Sequence, residues 1–127
     1  MKVFLSLPMS GKSDEEIKND LTYMRKIIFE HPEIFGNDAI VTDNFKNEKR
    51  VNQIIKDIGQ EPKNGALAYL GVAISEMSEC DAVLFHPSYN KARGCRVERY
   101  VSIEYDLERY YITDDNRIYK QGEGFIS

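Results

Sequence analysis

One stretch of the chain carries the residue types and spacing for chemistry, Asp81-Ala82-Val83-Leu84-Phe85-His86-Pro87-Ser88-Tyr89-Asn90-Lys91-Ala92-Arg93-Gly94-Cys95-Arg96-Val97-Glu98. Its apolar start leads into a loop with an aromatic, Tyr89, and Gly94 stands where the next helix begins. Gly94 permits close backbone approach there. Glu98 follows four residues later, one helical turn on and on the same face. A carboxylate projecting toward a cleft, with a glycine clearing space beside it, suits a nucleophile for the anomeric carbon of a sugar. The same residue also suits a plainer role, since an acid in a helix's first turns interacts with the macrodipole or pairs with a cation such as Arg96 or Arg99. Arg93 and Arg96 flank the glycine and could hold phosphate or pair with neighbouring acids.

A second chemical stretch is Ser6-Leu7-Pro8-Met9-Ser10-Gly11-Lys12-Ser13. It ends like a phosphate-binding loop, in Gly-Lys-Ser. Ser6 stands where the first glycine of that loop is required, and Pro8 removes a backbone N–H from the cradle. Free N–H groups at the following helix N-terminus, with Lys12 beside them, could still hold a phosphate or carboxylate. The alternative is that Gly11 makes a turn and Lys12 is solvated. His86 borders the expected cleft, where it could meet a base or phosphate or be structural. With Cys80 and Cys95 it lacks zinc-ligand spacing, so no metal is expected, and no cofactor. Cys95, at a helix N-terminus, is either a thiol of lowered pKa or a small side chain packed near Gly94.

These residues need elements to position them. Val3 to Leu7 reads as a buried strand ending at Pro8. Ser13-Asp14-Glu15-Glu16 is a capping box that opens a helix with Ile17, Leu21, Met24 and Ile28 on one face. Pro32 and Gly36 are expected to end it. Residues 39–42 read as a strand followed by Asp43 and Asn44, and residues 47–58 as a polar helix ending at Gly59. Residues 66–78 form a helix with Leu67, Leu70, Ile74 and Met77 at helical spacing. Residues 81–85 are a strand, and 94–106 a helix. Residues 109–112 and 117–120 are strands around a turn. Strands alternating with helices imply an α/β fold: a doubly wound, mainly parallel sheet flanked by helices, of the Rossmann or flavodoxin type. Such sheets bind ligands in the loops beyond the strands' carboxyl ends, which here are residues 8–12, 43–46 and 86–93.

Composition bounds the rest. A chain of 127 residues with 42% hydrophobic content suits a single domain, residues 1–127, with a real core. No apolar run is long enough for a membrane span, and Pro8 interrupts the N-terminal run too early for a signal peptide. Two cysteines fit a reducing compartment, so a cytoplasmic location is expected. Net charge is −4, which gives no sequence-wide basic field for nucleic acid.

Taken together, the segments Ser6 to Gly11, Cys80 to Phe85 and Gly94 to Glu98 resemble the nucleoside 2-deoxyribosyltransferase superfamily, in particular its small bacterial and phage branch. Order and spacing agree from residue 2 to about residue 104. The resemblance implies that Glu98 is the nucleophile, forming a glycosyl-enzyme intermediate while the base leaves to be replaced by another base or water. It implies transfer or hydrolysis at an N-glycosidic bond, or a binding protein that kept the pocket. A small-molecule nucleoside or nucleotide is the expected ligand, with Pro8, Met9, Ser10, Gly11, Lys12, Asp43, Asn44, His86, Tyr89, Arg93 and Gly94 as expected contacts. It also implies a homo-oligomer, and the exposed tips of C-terminal tyrosines such as Tyr100, Tyr105, Tyr110, Tyr111 and Tyr119 would suit an interface. Three positions depart from the characterised transferases. Phe4 replaces an orienting tyrosine, Ala73 an aspartate for proton traffic, and Ala92 a polar ligand of the sugar's 5′ end. Glu76, Glu79 or Asp43 could supply the missing acid.

Overall fold

Along the first strand Val3, Leu5 and Leu7 alternate with Phe4 and Ser6, and because successive side chains of a strand point to opposite faces, two separate cores form. A computed structural model describes all 127 residues. The elements run β1 (Lys2–Ser6), α1 (Asp14–Phe29), α2 (Pro32–Phe35), β2 (Ile40–Thr42), α3 (Glu48–Ile58), α4 (Gly65–Met77), β3 (Ala82–Phe85), a 3₁₀ turn (Tyr89–Lys91), α5 (Arg93–Glu104), β4 (Glu108–Ile112), β5 (Ile118–Lys120) and β6 (Gly124–Phe125). The six strands form one sheet in the order β2-β1-β3-β4-β5-β6. β2, β1, β3 and β4 are parallel, while β5 and β6 add antiparallel to the β4 edge. The chain is therefore mixed α/β with five α-helices and a mostly parallel sheet. No helix is long and apolar enough to cross a membrane.

One core packs Val3, Leu5, Leu84, Tyr110 and Ile112 of the sheet against Ile17, Leu21, Met24 and Ile28 of α1 and Phe35 of α2. The other packs Phe4, Val83, Phe85 and Tyr111 against Ala73 and Met77 of α4, with Val101 of α5 at its margin. Helices therefore cover both sides. α1 opens with the expected capping box: Ser13 Oγ accepts from the Glu16 N–H, and the Glu16 carboxylate accepts from the Ser13 N–H. The helix stops at Phe29, earlier than Pro32 and Gly36 suggest. Pro32 starts a new helix, α2, because its fixed φ suits the first helical position while the residue before it is pushed out of the α region; His31 has φ −126° and ψ 59°. α3 ends at Gly59 in the left-handed conformation, as its sequence indicates.

Two expectations change. In α4, Val72, Ala73 and Met77 are buried, whereas Leu67 is 62% exposed. The helix is apolar nearly all round, so its spacing alone does not say which stripe faces the sheet. Tyr110 and Tyr111 belong to the cores rather than to a surface, while Tyr100 and Tyr105 of the same group are exposed. The last strand, β6, pairs Phe125 with Tyr119, and Arg117 lies over the Phe125 ring at 4.0 Å.

α2 has four residues, of which Phe35 is buried and Ile34 packs part-buried against the same core. Phe35 is wholly buried and meets Tyr110 edge to face at 5.1 Å between centroids. Phe35→Ala should destabilise the fold by about 3–5 kcal/mol, read as a lowered urea midpoint at unchanged slope. A loss under about 1 kcal/mol would show that α2 is not a structural anchor.

Candidate functional site

Ser6 ends β1 on the face that carries Phe4, the side covered by α4 and α5. There its hydroxyl donates a 2.7 Å hydrogen bond to Glu98 Oε1. Glu98 is only 8% exposed, and no cation pairs with it. Arg96 donates instead to the Asn90 carbonyl, and Arg99 to the Tyr111 hydroxyl. The ion-pair role that the sequence left open for Glu98 is therefore absent. Burial disfavours the charged carboxylate and raises its pKa from 4.5 to about 7, with the Ser6 hydrogen bond acting in the opposite sense. A carboxyl with that pKa is partly ionised at neutral pH and able to act as nucleophile or as acid.

Glu98 lines a cavity of about 930 Å³, within the range for small-molecule sites. Pro8, Met9 and Ser10 from the first loop form part of its wall, with Asn44 after β2 and Ala92, Arg93 and Gly94 at the start of α5. Phe4, Leu7, Leu67 and Leu70 supply apolar surface, and Lys91 and Arg96 supply charge. Asn44 is set in the wall by donating to the Tyr69 carbonyl of α4 at 2.9 Å. A Cβ at Gly94 would meet nothing within 4 Å. The glycine therefore leaves open volume, not the close backbone contact that its position suggests.

The remaining expected contacts lie elsewhere. Gly11 has φ +77° and turns the first loop without entering the cavity wall. Lys12 bonds Asp20 of α1 at 2.7 Å. His86 follows Leu84 by two residues, so it emerges on the α1 side of the sheet, opposite Glu98. Its Nε2 is 3.6 Å from Asp20, and its Nδ1 accepts from the Ser88 N–H. Burial lowers its pKa, with Asp20 opposing. Asp43 accepts from Arg25 at 2.8 Å and from the Phe45 N–H. Tyr89 packs on Phe85 and Tyr111. These five residues brace the loops from behind or beside the cavity.

Cys95 is buried in the cavity wall, and burial pushes its thiol up to about 11. That removes the reactive-thiolate reading. Ala73 is fully buried against Phe4 and Met77, outside the cavity wall, whereas Ala92 lines it. None of the acids that could have replaced the Ala73 position reaches the cavity: Asp43 is held by Arg25, Glu76 by Arg50 at 2.7 Å, and Glu79 by Lys2 at 3.5 Å. Glu98 is thus the one carboxylate in the wall. The residue that sequence reasoning missed is Ser6. Its signal was present, as the one polar side chain among the buried residues of the strand, on the same face as Phe4. Lys91, Leu67 and Leu70 were also missed as wall residues.

Comparison with protein-family models, with curated proteins and with solved structures finds no match to this chain.

The raised pKa of Glu98 fixes a sign for stability. The folded state holds this proton more tightly than the unfolded chain does, so the contribution is full below the unfolded value near 4.5 and is lost as pH rises to about 7. Relative to Glu98→Gln, the wild-type protein should lose roughly 2–3 kcal/mol of stability between pH 4.5 and pH 8. Paired denaturant titrations at the two pH values measure it. Parallel behaviour of the two proteins would place Glu98 in water.

Proposed function

We propose that the chain is a nucleoside 2-deoxyribosyltransferase-like domain that binds a nucleoside or nucleotide and acts on its N-glycosidic bond through Glu98. The observation that carries this reading is a buried carboxyl with one hydroxyl partner and no cation, in the wall of a cavity large enough for a nucleoside. The sheet order β2-β1-β3-β4, with helices on both sides, supports a flavodoxin-like, doubly wound fold. In that fold ligands sit beyond the strand ends where successive crossovers diverge, between the first and third strands. Ser6 and the segment leading from β3 to α5 flank that point. The resemblance in the Ser6–Gly11 and Gly94–Glu98 segments falls on the same cavity.

The chemistry follows from the surroundings of Glu98. Its ionised oxygen attacks the anomeric carbon, the bond to the base nitrogen breaks, and the electron pair leaves with the base. Water or a second base then attacks the same carbon and releases the carboxylate. The Ser6 hydroxyl gives Glu98 the partner that Phe4, with no hydroxyl, does not: it holds Oε1 and leaves Oε2 for attack. The departing base also needs a proton, and general acid help contributes roughly 10²–10⁴-fold. With no second carboxylate in the wall, turnover is slow, and solvent protonates the base. That same observation favours a second reading, a binding protein for nucleosides or nucleotides with little or no turnover.

Chromatography of a nucleoside and nucleotide panel for released base tests the enzyme. Slow release in the wild-type protein and none in Glu98→Ala are expected; release unaffected by that change would require another nucleophile. Thermal shift without release supports the binder. Homo-oligomerisation accompanies the proposal by resemblance and a cytoplasmic location by the cysteine content, and sedimentation tests the first.

The pH profile gives an independent test. With Glu98 as nucleophile, kcat/KM should rise with pH through about 7. Ser6→Ala removes a bond that favours the ionised form, so the rising limb should move to higher pH and the rate at pH 7 should fall several-fold. A profile that falls through the same range would make Glu98 an acid instead.

A further inference from the structure

We infer that the ligand of the Glu98 cavity is phosphorylated, with Lys91, Arg93 and Arg96 holding the phosphate at the rim; the pentose part of this inference rests on the proposed function, the phosphate part does not.

The three cations share one wall of the cavity, and no carboxylate pairs with any of them. In a chain that is acidic overall, with net charge −4, this wall gathers three cations with Glu98 as its one carboxylate. Arg96 spends one N–H on the Asn90 carbonyl at 3.1 Å, which fixes its guanidinium and leaves the other donors free. Guanidinium groups match phosphate oxygens in pairs, and an ammonium adds a point charge. Arg93 and Arg96 are three apart on α5 and so lie on neighbouring faces of its first turn. Both stand at the end of the helix where the dipole disfavours positive charge, and Ala92 offers no side-chain cap. An anion among them relieves both conflicts.

The floor of the cavity orients the ligand. Glu98 is buried to more than nine-tenths, its Oε2 has no partner, and it lies on the same wall one turn deeper than Gly94. Its ionised form repels a phosphate and accepts an electrophilic carbon. The ligand is therefore sorted by charge, phosphate outward at the cations and reacting carbon inward. Ala92, where the resemblance expects a polar ligand for the sugar's 5′ end, offers that end no hydrogen bond from its side chain. Charge on its two sides takes over that end of the molecule.

Calorimetry with ribose, ribose 5-phosphate and inorganic phosphate tests this on the intact protein. Ribose 5-phosphate should bind about tenfold or more tighter than ribose, and inorganic phosphate should compete with it. In Lys91→Gln/Arg93→Gln/Arg96→Gln the preference should fall to within about twofold, and Arg93→Gln alone should show part of that loss. All three side chains are exposed, so circular dichroism should show the variants folded. Equal binding of ribose and ribose 5-phosphate, a preference that survives in the triple variant, or no binding of either phosphate compound overturns the inference. Binding of inorganic phosphate through the three cations with no gain from the pentose keeps the anion site and removes the ribosyl reading instead.

Discussion

Glu98 is a carboxyl withdrawn from water without a countercharge, and much of the local structure follows from how that is tolerated. A single hydroxyl, Ser6, partners it at 2.7 Å. Desolvation then sets the proton equilibrium, since one neutral hydrogen bond cannot replace the hydration of a carboxylate. The arrangement is possible because β1 ends in a polar residue on the α4–α5 side, directly where α5 passes. An apolar residue at position 6 would leave the acid with no partner. A cation there would pin it as an ordinary ion pair and remove both its raised pKa and its free oxygen.

The loops that build the cavity are held from its far side. Asp20 of α1 reaches both Lys12 in the first loop and His86 at the start of the third. Arg25, one helical turn or so further along α1, holds Asp43 in the second. One helix thus fixes three segments whose other residues line the cavity. Side chains that look like ligands in the sequence serve here as tethers, and a site held in this way loses little conformational freedom when a ligand enters.

Five of the six strands, their order along the chain and the carboxyl-end loops were legible in the sequence, because short apolar runs bounded by turn residues have few other solutions in a chain of this size; β6, two residues beginning with a glycine, and the short helix α2 were not. The capping box of α1 and the glycine at the end of α3 were readable for the same local reasons. What was not legible is which side of the sheet each loop residue serves. His86 could have been assigned by counting two residues from Leu84, yet Lys12, Asp43 and Tyr89 depend on partners in α1 and on the aromatic cluster, which local sequence does not specify. α4 failed in the opposite way. Its apolar residues go nearly all round the helix, so periodicity carries no direction. At the site, the position of Glu98 on the face of Gly94 was readable from helical spacing, while its partner was not, since Ser6 lies 92 residues away.

The sheet also has a property that follows from its two ends. β2 has three residues and β6 has two. The β6 edge carries a glycine and has an arginine lying over its one aromatic, Phe125. Between them β1, β3 and β4 are longer, and each pairs with a strand on both sides. An incoming strand therefore finds only a few free N–H and C=O groups at either border, too few to template a register. The antiparallel pair β5–β6 acts in this respect as a hem: it turns the most extensible border of a parallel sheet, the one beside β4, into a frayed margin that ends after two residues.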